Sequence, residues 1–177
     1  MKRGIENPEL RRCPVIYLDV DGVLWDISED APLVADPAQS AQGVDGLREF
    51  LDWALAHCEV RWCTTWALSG SMTAEQMERL ARYTDVDVSV WECIRPSHGW
   101  RDSKCEAISW DEHVQGRPFA WLEDGLTPAE LHELDRRGFS DSFIHTDVFE
   151  NPRALREAHA ELIRRWEGRL KESPAAL

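Results

Sequence analysis

The apolar run Val15-Ile-Tyr-Leu18 passes straight into Asp19-Val-Asp21-Gly22, and few folds can accommodate that order. β-Branched and aromatic residues without a polar interruption read as a short buried strand. Its end must therefore open onto a crevice that can receive two carboxylates, and Gly22 supplies a turn at which backbone can approach a ligand closely. Asp19 and Asp21, two residues apart at a frayed strand end, can face the same space. Side by side they repel, so the pair predicts either a bound divalent metal or one carboxyl held protonated. The ordinary alternative is an Asp-rich turn after a strand, and the rest of the chain has to decide between them.

The chain has 177 residues, 43% hydrophobic and 30% charged, enough for one domain with a proper core over residues 1–177. No stretch approaches the roughly 20 apolar residues that span a bilayer, and the first 13 residues are too polar for a signal peptide. A cytoplasmic protein without a membrane partner is expected. A net charge of −13 disfavours nonspecific adhesion to nucleic acid or anionic lipid, leaving only local basic pairs such as Arg11-Arg12, Arg136-Arg137 and Arg164-Arg165. Five cysteines without CxxC spacing indicate neither a disulfide framework nor a zinc site. The histidines lack His-x-x-x-His spacing, which argues against a histidine metal centre. Of nine tryptophans, Trp53, Trp62, Trp121 and Trp166 lie in apolar patterns and read as core, whereas Trp25, Trp66 and Trp100 fall near the expected site rim.

Strand and helix signals alternate along the chain. Val44, Leu47, Phe50, Leu51, Ala54, Leu55 and Cys58 recur at helical spacing, and residues 59–64 then read as a strand. Thr73-Ala-Glu-Gln76 is a capping box opening a helix to about residue 83, with a third strand expected over 86–91. A second box, Ser103-Lys-Cys-Glu106, opens a helix to about residue 113. Residues 118–122 form the next strand, and Thr127-Pro-Ala-Glu130 is a box with proline at the first helical position. A fifth strand over 143–147 and a long amphipathic helix through Leu155, Leu162, Ile163 and Trp166 complete the pattern. The expected class is α/β: a Rossmann-like three-layer α/β/α sandwich around a five-stranded, mainly parallel sheet.

Ligands of such sheets sit beyond the carboxyl ends of the strands. The ends to compare are Asp19-Val-Asp21, Cys63-Thr64-Thr65 and Leu122-Glu123-Asp124, with Lys104 opening the helix before the last of them. A lysine in a first helical turn opposes the helix dipole, so its position hints at a nearby anion.

This ordered set resembles the haloacid dehalogenase-like hydrolase superfamily. Leu18-Asp-Val-Asp-Gly22 matches the first signature, Thr64 the second, Lys104 the third, and Glu123-Asp124 after Phe119-Ala-Trp-Leu122 the fourth. Thr65 is the alternative to Thr64 for the second. A closer resemblance, carried by Arg61-Trp-Cys-Thr-Thr-Trp66, Glu123-Asp-Gly-Leu126 and Ile144-His-Thr-Asp147, is to the capless branch that accompanies RNA repair proteins. The resemblance implies a phosphatase. Asp19 would be the nucleophile, Asp21 the general acid and base, Thr64 a donor to the phosphoryl group, and Lys104 its counter-charge. Mg2+ would be held by Asp19, Asp124 and the Asp21 carbonyl, with Glu123 in support.

Substrate contact is expected from Thr65 and from a loop over residues 92–102, in which Arg95 and Arg101 can pair with phosphates and Trp100 can stack on a base. Residues 25–43 have the length and composition of a flap-like loop. The expected partner is a phosphorylated substrate, either a nucleotide or nucleic acid end, or a small metabolite. Oligomerisation stays open, and the competing class is a non-catalytic phosphate-binding or interaction module.

Overall fold

The alternation of apolar runs and helical segments resolves into an α/β fold with a parallel sheet, in a computed structural model that describes residues 13–24 and 44–170. Four strands, β1 (Val15–Leu18), β2 (Glu59–Trp62), β3 (Phe119–Glu123) and β4 (Phe143–His145), lie in the order β2-β1-β3-β4. Leu18 stands opposite both Trp62 and Leu122, and Leu122 opposite Ile144, so the carboxyl ends finish level with one another. The chain leaves β1 toward β2 on one side and returns to β3 on the other. β1 therefore ends at the point where strand order reverses, which is where open parallel sheets leave a crevice.

Helices α1 (Leu47–His57), α2 (Ala74–Thr84), α3 (Val88–Glu92) and α6 (Ala154–Leu170) surround the face presenting Ile16, Leu18, Val60, Trp62 and Leu122. The opposite face presents Val15, Tyr17, Phe119 and Trp121 to a second cluster with Cys105, Ile108 and Leu134, the last from α5 (Pro128–Arg137). The residues of β1 and β3 are buried on both faces, which is why these strands read as nearly continuous apolar runs. Trp62, Trp121 and Trp166 are core, and Trp53 packs against it half-buried. Arg136 and Arg137 pair with Glu133, and Arg164 and Arg165 with Glu161, so neither Arg pair is an open basic patch. Among the described residues, no helix is long and apolar enough to cross a membrane.

Two expected elements differ. Residues 86–91 do not form a strand: the alternation of Val86, Val88 and Val90 is overridden by Asp87, whose carboxylate accepts from Ser89 N at 2.9 Å and caps α3. In place of a fifth strand, Arg95 alone bridges the outer edge of β2, donating to Val60 O at 2.8 Å and accepting from Trp62 N at 3.1 Å. The helix expected from Ser103 to about residue 113 is broken into a 3₁₀ turn, Lys104–Ala107, and a separate α4 (Trp110–Val114). Glu106 does not close the box, because its carboxylate accepts from Arg101 N instead. Buried Tyr17 then takes Ser109 N at 2.9 Å, fixing the break between the two segments. The boxes at Thr73 and Thr127 form as expected. The flap expected over residues 25–43, with Trp25, lies outside the described residues.

Candidate active site

β1 carries Asp19 into the crevice almost fully buried. Its amide donates to Leu122 O at 3.2 Å, while Cys63 N donates to Leu18 O at 2.9 Å, tying all three strand ends together. Gly22 then turns the chain with φ of 73°. A Cβ there would stand 2.6 Å from Asp124 Cβ, so only glycine allows the turn after β1 and the acid after β3 to meet.

Lys104 reaches the same point. Its ammonium lies 3.0 Å from Asp19 Oδ2 and 2.7 Å from Glu123 Oε2. Burial alone would lower the lysine's pKa, but Asp19 and Glu123 outweigh it and hold the group charged well above its usual range. Burial and the charge of Asp19 push the Glu123 carboxyl up, with Lys104 opposing them. The backbone behind Lys104 is fastened by buried Glu130, whose Oε1 accepts from Lys104 N at 3.0 Å and Ser103 Oγ at 3.2 Å. Its Oε2 accepts from Thr127 N at 2.9 Å.

Asp21 sits higher and is half-exposed. Trp66 Nε1 donates to both of its oxygens, at 3.0 and 3.1 Å, and Thr65 Oγ1 donates to Oδ2 at 3.3 Å. Burial and then the neighbouring Asp19 charge raise its pKa against those two donors. Thr64 is fully buried and its hydroxyl accepts from Trp66 N at 3.3 Å, capping the short turn Thr65–Ala67. The adjoining Cys63 thiol is buried and pushed far above its ordinary range by that burial, which leaves it inert.

Asp19, Glu123 and Asp124 each bring one carboxylate oxygen within 4.8 Å of the others. Asp19 Oδ1 is buried and has no hydrogen-bond partner. An orphaned buried carboxylate oxygen among hard oxygen donors is a fit for a small divalent cation such as Mg2+.

The structure thus brings Asp19, Asp21, Thr64, Thr65, Lys104, Glu123 and Asp124 together. Of the residues expected at the substrate, Thr65 is among them, whereas Arg95, Trp100 and Arg101 form no hydrogen bond or ion pair with this group among the described residues. Trp100 packs half-buried against the second cluster, and its backbone N donates to Leu68 O at 2.9 Å. Arg95 lies on the β2 edge with its guanidinium 3.9 Å from Glu59. Arg101 touches the region only through its backbone bond to Glu106, among the described residues.

Three contributors escape sequence reasoning. Trp66 was legible as a rim residue but not as the donor to Asp21. Glu130 was legible as the third residue of a box, yet the box also anchors Lys104. His145 Nε2 lies 2.6 Å from Asp124 O, and position at a strand end was its one signal. No protein-family model matches this chain, nor does any curated protein or solved structure, so the reading of the site rests on its own residues and geometry.

Proposed function

We propose that this chain is a Mg2+-dependent phosphatase with a haloacid dehalogenase-like core, acting on a phosphomonoester through an aspartyl phosphate. The observation that carries the reading is the state of Asp19. One of its oxygens is held by Lys104, the other is buried without a partner, and two further acids stand beside it. A carboxylate fixed and only partly satisfied is poised to form a bond.

In the first step an Asp19 oxygen bonds to phosphorus as the ester P–O bond breaks, and the Asp21 carboxyl gives its proton to the departing alkoxide. In the second, water attacks phosphorus, the Asp19–phosphorus bond breaks, and Asp21 takes the water's proton. Lys104 offsets the charge of the nucleophile and incoming phosphoryl group, and Thr64 or Thr65 donates to a phosphoryl oxygen. Asp19, Asp124 and the Asp21 carbonyl would hold Mg2+, with Glu123 in support through water; the cation would supply charge neutralisation for the phosphoryl oxygens.

The substrate reading is a nucleotide or polynucleotide phosphate end. A small phosphorylated metabolite is the second reading, and it gains from one observation: Trp100 already packs against the second core cluster. Phosphate release from phosphorylated oligonucleotides, mononucleotides and sugar phosphates, with and without Mg2+, tests both. Asp19→Asn should lower Mg2+-dependent release by on the order of 10³-fold or more. A variant as active as wild type would refute the covalent mechanism, and an inert wild type would favour a binding module.

A further inference from the structure

A general acid works only from the place where its proton meets the leaving oxygen, and a side-chain carboxyl on a half-exposed turn does not hold such a place by itself. Asp21 is held from outside its own segment. The Trp66 indole N–H points between the two carboxylate oxygens, 3.0 Å from one and 3.1 Å from the other, and Thr65 adds a bond to Oδ2 at 3.3 Å. Trp66 is itself anchored. Its backbone N donates to Thr64 Oγ1 at 3.3 Å, and its carbonyl accepts from Gln76 Nε2 at 2.7 Å. Gln76 is locked in turn by the capping box at the start of α2, and the Arg79 guanidinium lies 5.3 Å from the Trp66 ring centroid. A continuous path of bonds therefore runs from the first turn of α2 to the carboxyl of Asp21.

We propose that Trp66 is the positioning residue for the general acid, and that its indole N–H sets how basic a leaving alcohol the site can release. The inference rests on the phosphatase reading and extends it to leaving-group specificity. Esters of activated phenols depart with little help from a proton, whereas esters of sugar or alkyl alcohols need Asp21 in place. A displacement of about 1 Å is enough to cost on the order of 10²-fold in rate. Replacing the indole by a ring without a donor keeps the packing and frees the carboxyl.

The test is kcat/KM for Trp66→Phe and wild type across aryl and alkyl phosphate monoesters of rising leaving-group basicity, at saturating Mg2+. This ratio covers the steps through loss of the alcohol, so slow hydrolysis of the aspartyl phosphate does not mask the effect. The loss should grow from about threefold with 4-nitrophenyl phosphate to on the order of 10²-fold with alkyl esters. An equal loss across the series, or one that follows leaving-group size, overturns the positioning role. A second measurement needs no turnover: the Trp66 indole N–H resonance, assigned in the wild type by sequential and through-space correlations, should move upfield in Asp21→Ala. An unmoved resonance refutes the contact, and it remains decisive if Trp66→Phe does not fold. A wild type inert toward every ester overturns the phosphatase reading and this role with it, while a flat loss in an active enzyme overturns the role alone.

Discussion

At the amino end of β2, Glu59 and Glu112 meet Arg61 and Arg117; at the carboxyl ends of β1 and β3, Asp19, Asp21, Glu123 and Asp124 gather around Lys104. Both clusters lie on the same face of the sheet, and both are largely buried. In the first, two guanidiniums answer two carboxylates. Arg61 reaches Glu59 at 2.8 Å, Glu112 at 3.0 Å and Ser109 at 2.8 Å, while Arg117 reaches Glu59 at 2.7 Å and Glu112 at 2.5 Å. In the second, four acids share one ammonium and a buried Asp19 oxygen has no partner. A balanced network holds segments together. An unbalanced one is tolerated only where something else, a cation or a phosphoryl group, completes it.

The sharpest way to break this contrast is to neutralise one carboxylate in each place. Glu59→Gln leaves two buried guanidiniums short of an acceptor and should cost about 3–5 kcal/mol in urea unfolding. Asp19→Asn removes one of several repelling charges and leaves Glu123 on Lys104, so stability should stay within about 1 kcal/mol of wild type. If both substitutions destabilise alike, the acidic site is a structural network too.

The next test adds the missing charge. With Mg2+ at about 100-fold over its Kd, thermal unfolding should report about 2.7 kcal/mol of added stability. Asp124→Asn should remove most of that gain, and Glu59→Gln should keep it. Absence of any Mg2+ shift in wild type would end the view of the acidic cluster as an incomplete cation site.

The two clusters also differ in how much of them the sequence exposes. Strand ends were legible, because a parallel strand buried on both faces must be an apolar run, and Asp19 and Glu123 end such runs while Thr64 follows the apolar pair Trp62-Cys63. The Asp-x-Asp-Gly turn was legible for the same reason. In Glu59-Val-Arg-Trp62 the alternation was visible, but nothing local said that Glu59 and Arg61 would be buried against Arg117 and Glu112, more than 50 residues away. The bond from Trp66 to Asp21 leaves no periodic trace either. Local pattern failed at 86–91, where alternating valines imitate a strand and one capping Asp turns them into a helix, and at 104–113, where Tyr17 captures Ser109.

The smallest expected effect concerns acid stability, which the balanced network should govern. Burial holds His113 neutral, its pKa pushed down to about 4 from 6.5, with Tyr17, Phe119, Glu112, Arg61 and Arg117 around it. Glu112 would be raised by burial, but hydrogen bonds from Arg61 and Arg117 hold it down to about 2 from 4.5. For the histidine, the unfolded chain binds the proton first as pH falls below 6.5, so stability declines from there to about pH 4. For the glutamate, the unfolded chain again protonates first, and stability declines between about pH 4.5 and 2. Melting temperature followed down in pH should therefore fall in two stages, by a few degrees each. His113→Gln should flatten the first stage and spare the second, and Glu112→Gln should do the reverse after an initial loss at neutral pH. Acid limbs unchanged in both variants would mean that the balanced network does not set acid stability, and the division of labour between the two clusters would have to be redrawn.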